Sequence, residues 1–182
     1  MNEFLKEFWN KYSFIHNSTK ELYILSEEYE DEMSSFIQPI KEQKDSLEHI
    51  VRAYTRYSEK VTNLSDDDEK YIRKNLDKAI GHTFRSFFDC ADIFSIIIRE
   101  NLSKELKRFS YSQIIRVWPE YEGFRKKLVD TPKQIADLRT NKDIAKDNVD
   151  IIAMVDEYKK TIYQIWEIYD KYMKNIYPIL NK

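Results

Sequence analysis

Two glycines and four prolines in 182 residues limit what this chain can fold into more than any motif does. A sheet protein needs a turn every eight to twelve residues or so, and turns draw heavily on glycine and proline. Long helices joined by few connections can be built with so little. The expected fold class is therefore all-α, an antiparallel bundle of four to five helices in one domain spanning residues 1–182. Apolar residues make up 42% of the chain, enough to fill a single core.

Start and stop signals divide the chain. Residues 2–12 read as a short amphipathic helix with Phe4, Leu5, Phe8, Trp9 and Tyr12 on one side. Ser18 and Glu21 have the spacing of a capping box, which predicts a new helix start. Beyond it apolar residues recur at Leu22, Leu25, Tyr29, Met33, Phe36, Ile40, Leu47, Ile50, Tyr54, Tyr57 and Val61, mostly in steps of three and four that keep one stripe facing a neighbour. Pro39 interrupts that run, and a kink or break is expected near it. Ser65 followed by Asp66, Asp67, Asp68 and Glu69 predicts the start of a second long helix, because a hydroxyl cap and negative charge both suit a helix N-terminus. That helix runs to about Lys107. A short helical segment follows from Ser110 to Trp118, stopped before Pro119, and another runs through Phe124 and Leu128. Thr131, Pro132 and Gln134 predict a further start. The last helix is expected to begin at Asp147 or Asn148 and to end at Pro178, with Ile151, Val155, Tyr158, Ile162, Ile165, Tyr169, Tyr172 and Ile176 as its stripe.

Several function classes drop out early. Thirty basic residues against thirty-two acidic ones leave a net charge of −2, which gives no reason to expect nucleic acid or an anionic membrane as an obligatory partner. Cys90 stands alone, so neither a disulfide framework nor a thiolate metal cluster is expected. Gly81 and Gly123 lie too far apart for a phosphate-cradling loop. The histidines, His16, His49 and His82, are preceded three positions earlier by Ser13, Ser46 and Ala79, which excludes the Glu-x-x-His pattern of di-iron bundles. No metal and no cofactor are expected. Charges at Glu3, Lys6, Glu7 and Lys11 argue against a secretory signal, and the most apolar stretch, Phe87 to Ile98, is too short to span a bilayer and carries Asp89 and Asp92. A cytoplasmic protein is the expectation.

One polar arrangement stands out. His82, Arg85, Asp89, Asp92 and Arg99 follow steps of three, four, three and seven, so they share one side of the second long helix. The stripe is either the exposed side of a mostly buried helix or a site for a ligand or partner. Buried between helices, it would be costly unless fully paired. The tyrosine-rich last helix and the Phe8–Trp9 region are candidate interfaces for a protein partner or a homodimer, since tyrosine suits surfaces that are partly buried and partly wet.

The segment Ile135-Ala136-Asp137-Leu138-Arg139-Thr140-Asn141-Lys142-Asp143-Ile144-Ala145-Lys146-Asp147-Asn148 resembles part of the HEPN superfamily of small helical bundles. Arg139 and Thr140 match the Arg and polar residue of its motif, and Lys146 stands where that motif has His. The resemblance implies RNA cleavage without a metal, Arg binding phosphate and His moving a proton. Lysine, with an ordinary pKa of about 10.4, is a poor acid–base group at neutral pH, so a ribonuclease of the usual kind is not expected. Two readings follow. The first is a non-catalytic helical-bundle protein acting through protein–protein contacts. The second is a HEPN-like RNA-binding, nucleotide-binding or ribonuclease protein that uses Arg139, Lys146 and the His82–Arg99 stripe.

Overall fold

A computed structural model of the chain describes residues 1–30, 36–140 and 150–182, with backbone only for residues 138–140. Among these residues the regular structure is entirely helical. The elements are α1 (Asn2–Tyr29), α2 (Ile37–Lys60), α3 (Asp66–Leu106), α4 (Tyr111–Val117), α5 (Tyr121–Thr140) and α6 (Ile151–Lys171). A π-helical turn (Tyr172–Ile176) leads from α6 into α7 (Tyr177–Leu180).

Consecutive long helices run antiparallel. Along α2, Pro39, Glu42, His49 and Arg56 meet Ser86, His82, Asn75 and Asp68 of α3 in reverse order. Phe124 near the start of α5 faces Lys171 at the end of α6. Helices α1 and α3 run the same way, since Phe4 meets Arg73 and Tyr29 meets Asn101. So do α1 and α6, which join through Glu21 to Lys159 and Tyr29 to Trp166. The 41 residues of α3 form the axis of the molecule, about 61 Å long at 1.5 Å per residue. One apolar cluster, built on Phe84, Phe87, Phe94, Ile98, Tyr158 and Ile162, fills the space between α1, α3 and α6. A second, smaller one gathers Leu102, Leu106, Ile114, Trp118, Ile168 and Tyr172 at the far end of α3.

The helix ends show where local signals prevailed and where they did not. Ser65 forms a capping box with Asp68, each backbone N–H accepted by the other's side chain at 3.2 Å. Ser110 does the same with Gln113 and starts α4, which stops at Trp118. Ser18, expected to cap a helix, instead lies buried in the middle of α1. Phe8, Ile15 and Leu22 repeat every seven residues straight through that point, and burying one continuous face outweighs a local cap worth about 1 kcal/mol. Glu21, its expected capping partner, reaches Lys159 and Tyr163 of α6.

Pro39 occupies the third position of α2, where an amide has no intrahelical acceptor to lose. Pro132, expected to open a helix, lies inside α5, and the Thr131 hydroxyl donates to Lys127 O at 2.7 Å instead of capping. The last helix is capped by Asp150, whose carboxylate accepts from the amides of Ile152 and Ala153 at 3.1 Å. Asp147 and Asn148 lie outside the described residues. The chain also stays helical past Pro178, which falls in the first turn of α7, where a missing N–H costs nothing. Among the described residues no helix is long and apolar enough to cross a membrane.

The packing of α2 on α3 departs most from the apolar periodicity. The residues α2 buries are Pro39, Ser46 and Ala53, all small. Opposite them stand Ala79, Thr83 and Ser86. Ser46 Oγ lies 2.9 Å from Ala79 O and 2.7 Å from Thr83 Oγ1, and Ser86 donates to Pro39 O at 3.0 Å. Small side chains on both helices permit a close approach in which hydroxyls reach the opposing backbone. Large side chains do not fit such a seam. Ile37, Ile40, Leu47 and Val51 are each more than half exposed, and Val61 is too. The expectation that Ile40, Leu47 and Val61 face a neighbouring helix is therefore corrected.

Candidate functional site

The polar stripe of α3 divides into three parts with different partners. The first lies against α2. His82 Nδ1 is 2.8 Å from Glu42 Oε2, and Arg85 donates its Nε–H to the same oxygen at 2.9 Å. Arg85 Nη2 also stands 2.7 Å from His82 Nδ1. Nδ1 cannot donate to Glu42 and accept from Arg85 at once. The carboxylate is the stronger acceptor, so we assign the proton to Nδ1 and let both donors converge on Glu42. Burial acts to raise the pKa of Glu42, but these two hydrogen bonds outweigh it and hold the carboxyl below its ordinary value. His49 stacks on His82 with ring centroids 5.3 Å apart and holds Asn75 Oδ1 at 2.9 Å through Nδ1. This part of the stripe fastens α2 to α3 with its charges paired.

The second part faces α6. The Tyr158 hydroxyl, on a ring buried edge-on against Phe88 and Phe87, donates to Asp92. Asp89 is partly exposed one turn earlier, and its charge acts with burial to push the Cys90 thiol up to about 12, burial being the larger cause. A thiol so buried is a packing group.

The third part is Arg99 alone. It donates its Nε–H to Ser95 O at 3.1 Å and lines a groove of about 510 Å³ between the end of α3, α4 and α5. Burial lowers its pKa, with Glu100 and Asp92 acting in the opposite direction. Lys107 and Arg125 line the same groove. The residues expected to act as one stripe thus serve a helix seam, a buried tyrosine and a groove. Arg139 is the second-last residue of α5, and nothing of its side chain is described. Lys146 lies outside the described residues. Glu42, His49 and Asn75 carry no periodic signal that ties them to His82, because their proximity arises from the pairing of two antiparallel helices.

The tyrosines of the last helix are mostly consumed inside the bundle. Tyr158 and Tyr172 are buried, Tyr163 donates to Glu21, and Tyr169 meets Tyr29 edge-on at 5.5 Å. At the N-terminal candidate, Phe8 is buried, whereas Trp9 is 41% exposed and donates to the Tyr54 hydroxyl at 2.7 Å. Through Tyr54 it joins the outward row of α2. That row reads Ile37, Ile40, Lys44, Leu47 and Val51, in alternating steps of three and four, and Tyr54, next in step, is half-buried against the first core cluster. An average step of 3.5 residues is the repeat of a coiled-coil seam. Among the described residues no group of three His, Cys, Asp or Glu side chains is placed to hold a metal ion. No protein-family model, no curated protein and no solved structure matches the chain.

Proposed function

We propose that this protein is a non-catalytic helical-bundle module that acts through protein–protein contact, and that its first partner is a second copy of itself. The observation that carries this reading is the outward row of α2. It places four apolar side chains, each more than half exposed, in a heptad register along about two heptads of one helix. The register is the one a partner helix needs, and among the described residues Ile37, Ile40, Leu47 and Val51 all remain more than half exposed.

Charge selects the partner. Lys41 and Glu48 stand seven residues apart on the same flank of the row, and Lys44 lies within it. A two-fold axis crossing α2 beside Lys44 and Asp45 sets Lys41 of one copy opposite Glu48 of the other, twice over. A parallel pairing brings neither Lys41 nor Glu48 opposite the other. The charge order therefore favours an antiparallel, self-complementary interface. Glu48 already meets Arg52 along its own helix, but both are about half exposed, and such a surface pair is weak enough to exchange.

Light scattering from about 5 µM to about 500 µM tests the reading, a range that brackets the micromolar affinity expected of one short seam. The wild-type chain dimerises within it. Leu47→Glu yields a monomer, Lys41→Glu weakens the dimer, and adding Glu48→Lys to Lys41→Glu restores it. A wild-type monomer throughout, or a dimer indifferent to Leu47→Glu, refutes the proposal.

A second reading rests on the HEPN resemblance, which places Arg139 and Thr140 at the end of α5, just before the last long helix. It proposes RNA or nucleotide binding through Arg139 and Lys146. Gel-shift measurements with short single-stranded RNA decide it: binding lost in Arg139→Ala supports the reading, and no binding by the wild-type chain ends it.

A further inference from the structure

The groove at the far end of α3 has a composition that neither a structural seam nor a chance depression requires. Its floor is apolar and fixed: Leu102, Leu106 and Ile114 are buried members of the second core cluster, with Phe109, Tyr121 and Leu128 packed beside them. Its charged lining is of one sign. Arg99, Lys107 and Arg125 line it, and no carboxylate does, in a chain whose acidic residues outnumber its basic ones. At about 510 Å³ it has the size of a small-molecule site. The cleft of about 340 Å³ between α5 and α6 gives the contrast, since there Lys127 and Lys171 are balanced by Asp130 and Glu167.

The three cations are not spent elsewhere. None makes an ion pair within 4.0 Å among the described residues. Glu122, close to the rim, is engaged by the Tyr111 hydroxyl at 2.5 Å. Glu100 and Asp92 act on Arg99 only at longer range. Lys107 is explained as a basic residue at a helix C-terminus, where the dipole favours positive charge. Arg99 is not, being two turns inside the helix. It is partly buried and held by one bond to its own helix, and among the described residues its remaining guanidinium donors have no hydrogen-bond partner. A planar, partly desolvated guanidinium over an apolar floor suits the carboxylate or phosphate of a ligand whose body is apolar.

We propose that the groove between α3, α4 and α5 binds a small amphipathic anion. Its apolar body lies on Leu102, Leu106 and Ile114, and its carboxylate or phosphate head is held by Arg99, Lys107 and Arg125. The site is separate from the α2 row and does not depend on dimerisation.

The test is a fluorescence titration of the full chain with 1-anilinonaphthalene-8-sulfonate, an aromatic anion. Dodecanoate and adenosine monophosphate then compete, distinguishing an acyl carboxylate from an aromatic phosphate. Saturable binding is expected, displaced by one of the two competitors and weakened about tenfold or more by Arg99→Met and by Arg125→Glu, a loss of about 1.4 kcal/mol. The exposed Arg125 and Lys107 tolerate substitution without loss of fold, so Arg125→Glu and Lys107→Glu decide the matter even where Arg99→Met lowers stability. Leu47→Glu leaves binding unchanged, which separates this site from the α2 interface. No saturable binding at millimolar probe, no displacement by either competitor, or equal affinity in Arg125→Glu and the wild type would each overturn the proposal.

Discussion

Replacing Glu42 by glutamine removes one charge from the α2–α3 seam and leaves its shape. In the native protein the Glu42 carboxylate accepts from His82 Nδ1 at 2.8 Å and from Arg85 Nε at 2.9 Å, with its own side chain 12% exposed. A hydrogen bond to a charged group contributes about 1.5–3 kcal/mol and a neutral one about 1 kcal/mol, so each bond loses roughly 0.5–2 kcal/mol. Arg85 is 49% exposed, and its share is discounted for solvent screening. The expected cost at pH 7 is about 1–2 kcal/mol. The pH dependence gives a sharper test. The pKa of Glu42 is held below its ordinary value of 4.5 because the hydrogen bonds outweigh burial. A carboxyl with a lowered folded pKa contributes stability that is present above the unfolded pKa and lost as pH falls through the folded one. The difference between wild type and Glu42→Gln thus shrinks as the pH falls below about 4.5. Urea denaturation across pH 3 to 8 measures it as a shift in midpoint at constant slope. A difference below about 0.5 kcal/mol at pH 7, or one that does not change in acid, refutes the role assigned to this carboxylate.

Two further substitutions should stabilise the protein. Pro132 lies inside α5, where its ring crowds the carbonyl of Leu128 and no amide is present to bond it, so Pro132→Ala should gain about 1–2 kcal/mol after allowing for the freer unfolded chain; an unchanged or lower denaturation midpoint would show that the helix is distorted to suit proline. Tyr172 is wholly buried, its hydroxyl has no hydrogen-bond partner among the described residues, and burial pushes its pKa up to about 12. Tyr172→Phe removes the orphaned group and should raise the melting temperature by about 2–4 °C, equivalent to roughly 1 kcal/mol; a fall in melting temperature would mean that the hydroxyl is satisfied in solution.

Legibility followed the range of the physical cause. Ser65 and Ser110 cap helices as short-range chemistry demands, because each finds its partner three residues away. Ser18 has the same spacing to Glu21 and caps nothing, since its helix is held by the continuous face of Phe8, Ile15 and Leu22. The stripe on α3 shows the same limit in the candidate site. Helical spacing put His82, Arg85, Asp92 and Arg99 on one side, but three different neighbours give those residues three different roles. Glu42 and Arg125 join them only through space.

Scarce glycine and proline, together with long runs of three- and four-residue spacing, were sufficient to determine an all-helical chain, because helix formation depends on contacts within a few residues. Which face of each helix turns inward was decided by packing. Periodicity ranks large apolar side chains as the buried ones, yet α2 buries Pro39, Ser46 and Ala53 and turns Ile37, Ile40, Leu47 and Val51 outward. At the centre of the α2–α3 seam small side chains face one another, and the hydroxyls of Ser46 and Ser86 gain from that proximity what a leucine could not. That preference belongs to a pair of helices and is invisible in either one alone.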